Sequence, residues 1–256
     1  MKLNENQINE IKDNGYIVLP DWFSNIEVNK IRKEMKKIFS EKTEADIVEK
    51  SSGEVRTAMG LHLRSKTFDN LTRHPKFFEP ACQIRGKKLY IQQTKINVKA
   101  AFTGEVWQWH YDFATHSGED GVEKPLALNL HVFLDDVTEF NGPLFFIPKS
   151  HKYGPVPSRL DTLTTSYPLW TVDHETVKKL VKENGIVSAQ GKAGTALIFV
   201  DNLVHGSAQN MSPMDRAIFS AILNSCDNAQ TKFNRPDYKH GRDFNPIEAS
   251  SVRSLL

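Results

Sequence analysis

Cysteine is scarce: only Cys82 and Cys226 occur in 256 residues, far apart and with no CxxC spacing. That excludes a disulfide framework and makes a structural zinc site untenable. Long apolar runs are missing as well, so no segment approaches the roughly 20 residues that a membrane-spanning helix needs. Residues 1–7 are polar and lack the apolar core of a signal peptide, and the expectation is a cytoplasmic protein with reduced thiols. Charge is nearly balanced at +2, which gives no reason to expect nucleic acid or an anionic membrane as partner. The basic stretch 30–37 carries Ile31 and Met35, followed by Ile38, at helical spacing, so it reads as the solvated face of an amphipathic helix. No nucleophile elbow, P-loop, dinucleotide fingerprint, internal repeat or linker is present.

What is present is an ordinary globular composition, 39% hydrophobic and 25% charged, in a chain long enough for a sizeable core. The pattern predicts a helix over 4–14 stopping at Gly15, a strand over 16–19, and a helix from about Ser24 to Phe39. Residues 41–54, charged and rich in small residues, read as a mobile loop able to cover a site. From Leu89 onward β character dominates. Strands are expected over 89–98, 127–134, 143–147, 196–200 and 217–223, with turns at Asn141-Gly142 and 191–194 and one helix over 173–184. The expected fold is α+β, mainly β with N-terminal helices: a double-stranded β-helix (jelly-roll, cupin-like) core over 89–230. A helix-rich part precedes it (1–88) and a tail follows (231–256), all as a single domain over 1–256.

The chemistry-bearing stretch is 107–113, Trp-Gln-Trp-His-Tyr-Asp-Phe, with His205 and Ser207 far downstream and Arg216 eleven residues after that histidine. Two histidines and one carboxylate on one face of Fe(II) leave three coordination positions open, as oxygen activation requires. Read as a strand, the stretch turns His110 and Asp112 to one side and Tyr111 to the other. Arg216 opens an apolar strand, and its fork suits the far carboxylate of a dicarboxylic co-substrate; Ser207 adds a hydroxyl. Trp107, Trp109 and Phe113 are expected as pocket wall. Asp135-Asp136 reads as a turn, because adjacent strand residues face opposite sides. Of the remaining histidines, His116, His131, His151 and His240 lack a partner at ligand spacing and read as surface or second-shell groups.

These motifs, with residues 55–57, 93–97, 109–115, 119–121, 140–151, Arg216, 235–238 and 242–244, resemble the phytanoyl-CoA dioxygenase-like Fe(II)/2-oxoglutarate oxygenases, and within them the ectoine hydroxylases. The resemblance runs from about Glu54 to Pro246. It implies iron on His110, Asp112 and His205, 2-oxoglutarate on Arg216 with Ser207, and amide contacts from Gln93 and Asn97. It implies substrate contacts from Gln93, Thr115, Trp107 and either Arg235 or Arg242. The implied reaction uses O2 to hydroxylate an unactivated C–H of a small zwitterion (a free amino acid, ectoine or a proline-like derivative), releasing succinate and CO2. At position 116 the subgroup has a tryptophan where this chain has His116, which removes a stacking wall and opens the pocket to more polar substrates. A same-fold halogenase typically replaces the carboxylate ligand with a small residue, and Asp112 argues against it. An oxygenase of larger, carrier-bound or natural-product substrates and a non-catalytic binding module are the remaining alternatives. A monomer or homodimer is expected.

Overall fold

The structure is a computed structural model that describes residues 1–50, 52–164 and 167–255. Its helices are α1 (Glu5–Asn14), α2 (Asn25–Glu41), α3 (Leu61–Arg64), α4 (Lys66–Thr72), α5 (Pro75–Arg85), α6 (Asp112–Asp120) and α7 (His174–Asn184). Its strands are β1 (Tyr16–Leu19), β2 (Asp46–Val48), β3 (Val55–Met59), β4 (Leu89–Lys99), β5 (Trp107–His110), β6 (Leu128–Phe133), β7 (Leu144–Phe146), β8 (Ser158–Asp161), β9 (Leu169–Val172), β10 (Val187–Ala189), β11 (Ala196–Val200), β12 (His205–Ser207) and β13 (Arg216–Ser225). A seven-stranded sheet runs β1-β11-β6-β13-β4-β3-β2 and a six-stranded sheet runs β10-β7-β12-β5-β9-β8. Every pairing is antiparallel, the two facing sheets of a jelly roll.

Strand β13 shows how the larger sheet is used. Residues 216–224 of it are buried on both faces, so the sequence reads as a largely apolar run rather than an alternation. Phe219 points outward and stacks on Phe68 of α4 and Phe77 of α5, with ring centroids 5.6 and 6.3 Å apart. Arg216 and Ile218 point the other way, into a cavity between the sheets. The N-terminal helices therefore cover the outer face, and the inner face is left for chemistry. α1 and α2 each begin with a capping box, at Asn4/Gln7 and Ser24/Glu27, and α1 ends on Gly15 at φ +87°.

Two expectations change. The 41–54 stretch is not simply a loop: β2 lies in it and forms the edge of the larger sheet against β3, while Ser51 lies outside the described residues. Arg56 also ties its end down, reaching Glu49 at 3.4 Å and Glu105 at 3.1 Å. The second change is at 107–113. The strand stops at His110, and Asp112 opens α6 with Tyr111 as its N-cap residue. Phe113 N–H donates to the Asp201 carbonyl at 2.9 Å, taking the place of a side-chain cap. Among the described residues, no helix is long and apolar enough to cross a membrane.

Candidate metal centre and co-substrate cavity

His110 ends β5 and His205 begins β12, and the two are direct partners across the antiparallel ladder. Their rings lie 4.1 Å apart between centroids. Each ring is oriented by its own strand. His110 Nδ1 lies 2.6 Å from the Gln108 carbonyl and His205 Nδ1 lies 2.9 Å from the Leu203 carbonyl. A carbonyl can only accept, so both Nδ1 atoms carry the hydrogen and both Nε2 lone pairs are left for a metal. Asp112 arrives from the helix rather than from a strand face. Its Oδ1 is 3.8 Å from His110 Nε2, and its Oδ2 accepts from Asn129 Nδ2 at 2.9 Å.

The ligand atoms of His110, Asp112 and His205 all lie within 4.8 Å of one another. Burial pushes the His110 imidazole down to about 3 and also lowers His205, so both rings are neutral ligands at ordinary pH. The Asp112 carboxyl is held well below the usual range: His205, Lys95 and His110 outweigh a burial effect of opposite sign. Two neutral imidazole nitrogens and one free carboxylate oxygen form a donor set that fits Fe(II).

The triad opens into a cavity between the two sheets. Arg216 enters it from β13, as expected. It is 2% exposed, Nη2 donates to the Gly142 carbonyl at 2.9 Å, and among the described residues Nε has no partner. Burial, then the neighbouring Arg56, pushes its guanidinium down to about 9, still cationic at neutral pH. Ser207 Oγ is likewise buried and unpartnered. Gly142, at φ +72°, makes the turn that brings this carbonyl close; a Cβ there would lie 2.7 Å from Lys99 Cδ.

Gln93, Thr115, His116, Trp107 and Arg235 line the same cavity, as does Asn97. Gln93 Nε2 donates to the Lys239 carbonyl at 2.7 Å, and Asn97 Oδ1 accepts from Thr57 Oγ1 at 2.8 Å. The Arg56 guanidinium lies over the Trp107 ring, 3.9 Å from its centroid. Arg235 is held bidentately by the fully buried Asp120, Nε–Oδ1 at 2.7 Å and Nη2–Oδ2 at 2.5 Å, and Nη1 donates to Tyr167 Oη at 3.2 Å. Arg242 lies elsewhere: it lines a separate groove and its Nη2 donates to the Phe233 and Arg235 carbonyls.

Trp109 and Phe113 also depart from expectation, packing with Tyr111, Ile147 and Val172 in a second apolar cluster away from the cavity. Of the four remaining histidines, only His151 lies near the surface, half-buried with Nε2 3.2 Å from the Lys12 carbonyl. His116, His131 and His240 are buried. Lys95, Asn129 and Tyr167 were not singled out from the sequence, and His131 was read only as a surface or second-shell group. For Lys95 a signal existed, since alternation along 93–97 places it on the face of Gln93 and Asn97. Asp120 appeared only within the 119–121 segment of the resemblance, with no role attached to it.

An antiparallel jelly roll with two histidines, one carboxylate and an arginine around one cavity defines a non-haem metal-dependent oxygenase. The chain belongs to the phytanoyl-CoA dioxygenase (PhyH) family, whose profile matches residues 11–218. It is 30% identical over 261 residues to the ectoine dioxygenase of Nocardia farcinica (strain IFM 10152), covering 96% of this chain and 88% of that one. It is 32% identical over 243 residues to the L-proline trans-4-hydroxylase of Streptomyces griseoviridis, covering 91% of each. The crystal structure of EctD from S. alaskensis with bound Fe superposes with a TM-score of 0.87 at 29% identity, covering 99% of this chain and 89% of that one. The same enzyme with 2-oxoglutarate and 5-hydroxyectoine gives 0.83 at 30% identity, covering 96% and 86%.

Proposed function

We propose that the protein is an Fe(II)/2-oxoglutarate-dependent dioxygenase that hydroxylates an unactivated C–H of a small zwitterion, an amino acid or an ectoine- or proline-like derivative. The observation that carries this reading is the convergence of His110, Asp112, His205 and Arg216 on one cavity. The relatives named as acting on ectoine and on L-proline support the substrate class. Bound iron supplies the oxygen chemistry that couples hydroxylation to conversion of 2-oxoglutarate into succinate and CO2.

The chain's own residues do the rest. The two Nδ1–H···O=C contacts fix the imidazoles with Nε2 available, and Asn129 orients the carboxylate of Asp112. Arg216 and Ser207 offer donors to the far carboxylate of the co-substrate. Arg235, whose Nε side is occupied by Asp120, keeps donors on its outer edge for a substrate carboxylate, with Gln93 and Thr115 alongside. Leu144, Leu169, Phe199 and Ile218 provide apolar wall that limits water. A cytoplasmic monomer or homodimer completes the reading.

The test is anaerobic reconstitution with Fe(II) and 2-oxoglutarate, then air, against amino acids, ectoine and cyclic imino acids. Succinate matched by a product one oxygen heavier is expected, and Asp112→Ala should abolish both. Full activity of Asp112→Ala at ordinary iron concentrations would remove the metal assignment.

A further inference from the structure

Between the triad and Arg216 the inner face of the larger sheet carries a row of polar side chains whose hydrogen bonds go nowhere. Ser220 of β13 pairs directly with His131 of β6 on one side and with Lys95 of β4 on the other. Directly opposed residues project from the same face of a sheet, so the three form one rung. Along β6 the rung lies two residues from Asn129, which holds the metal-site carboxylate. Along β13 it lies four residues from Arg216, on the same pleat. Lys95 and His131 of this rung line the cavity that also holds the triad and Arg216.

Two of its members, His131 and Ser220, are buried with unsatisfied polar atoms, and Lys95 is partly buried beside them. His131 is 5% exposed, and among the described residues both of its ring nitrogens lack a partner. Ser220 is fully buried and its Oγ is unpartnered. Lys95 lines the cavity with no ion pair or hydrogen bond among the described residues. Phe199 packs edge-on against His131 at 4.9 Å, which holds the ring without using either nitrogen. Burial pushes the imidazole down to about 3, so it is neutral, with one N–H to give and one lone pair to receive.

Such a row is costly to bury unless something in the cavity completes it. The charges indicate what. Arg235 is matched by Asp120, whereas among the described residues Arg216 and Lys95 have no ion pair: the acids that act on them are Asp135, already paired with Arg32, and Asp112. A dianion suits that surplus better than a monoanion. Resting on the co-substrate reading above, we propose that His131 is a 2-oxoglutarate-binding residue, donating an N–H to a carboxylate oxygen from the Lys95–Ser220–His131 rung.

The test uses the full chain loaded with Mn(II) in place of iron and titrates 2-oxoglutarate calorimetrically, alongside thermal unfolding of the metal-free protein. His131→Leu removes both nitrogens at similar volume. It should weaken 2-oxoglutarate binding at least tenfold while raising the melting temperature of the metal-free protein, because two unsatisfied atoms leave the interior. A purely structural histidine would not move the two readouts in opposite directions. His131→Gln, which restores a donor and an acceptor, should recover most of the affinity, and Ser220→Ala should weaken binding without loss of fold. Wild-type affinity in His131→Leu overturns the proposal. Loss of Mn(II) binding in that variant also overturns it, since the imidazole would then be a metal ligand. Absence of 2-oxoglutarate binding in the wild type would instead reject the co-substrate reading itself.

Discussion

Asp120 shows how much one side chain can organise. Its carboxylate accepts from Arg235 twice and from His240 Nδ1 at 2.8 Å, and His240 Nε2 lies 3.1 Å from Tyr90 Oη. His240 Nδ1 faces a carboxylate and so carries the hydrogen, leaving Nε2 to accept from the tyrosine. These donors hold the Asp120 carboxyl down at about 2 against an opposing burial effect. Asp120→Asn keeps the shape and removes the charge that matches Arg235. Leaving one member of a buried pair alone costs about 3–5 kcal/mol, and that loss is expected in urea unfolding. The KM for the hydroxylated substrate should rise through the displaced Arg235 while the KM for 2-oxoglutarate stays near its original value. Equal increases in both would place Arg235 away from the substrate.

At the scale of the element, α6 joins two ends of the site. Its first residue, Asp112, belongs to the triad, where the positive end of the helix favours a carboxylate, and its last, Asp120, anchors Arg235. Gly121 terminates it at φ +69°, and the Val122 N–H returns to the His116 carbonyl at 3.0 Å. A Cβ at Gly121 would meet Thr231 Oγ1 at 2.3 Å, and that hydroxyl donates to the Gly121 carbonyl at 2.9 Å, which ties the C-terminal tail to the helix. Gly121→Ala is therefore expected to destabilise by about 1–3 kcal/mol in urea unfolding. Metal affinity should be nearly intact in that variant, because the strain lies at the far end from Asp112. Why this helix was not legible is physical. Gly118 inside it lowers helix propensity, and the 107–113 stretch has enough aromatic content to read as one strand.

At the scale of the whole molecule, the metal-free protein buries many neutral histidines. His62 is pushed down to about 4, His110 and His131 to about 3, in each case mainly by burial, from a value of 6.5 when unfolded. For each of them the native state binds fewer protons than the unfolded chain once the pH falls below 6.5. Stability is thus fully present above 6.5 and is lost as pH falls, by about 1.4 kcal/mol per pH unit for each such ring. The depressed carboxyls of Asp112 and Asp120 have the opposite charge type and act only below about 4. The melting temperature of the metal-free protein should therefore drop clearly between roughly pH 7 and pH 5. A flat profile over that window would show that these rings are not buried in solution.

The local pattern alone carried α1, β1, α2, β4, β6, β11 and α7, because capping residues, terminal glycines and apolar periodicity are written into neighbouring positions. It also drew attention to His110, Asp112, His205 and Arg216, which the structure places around one cavity. Only the tertiary structure decided how they meet. Asp112 swings in on a helix whose first turn is capped by the Asp201 carbonyl from the turn after β11; Arg235 rather than Arg242 reaches the cavity because Asp120 holds it there. The rung of Lys95, Ser220 and His131 exists only in the pairing of β4, β13 and β6, whose members lie up to 125 residues apart in the chain. Short-range pattern sets the face on which a side chain emerges, whereas strand order sets what it emerges beside.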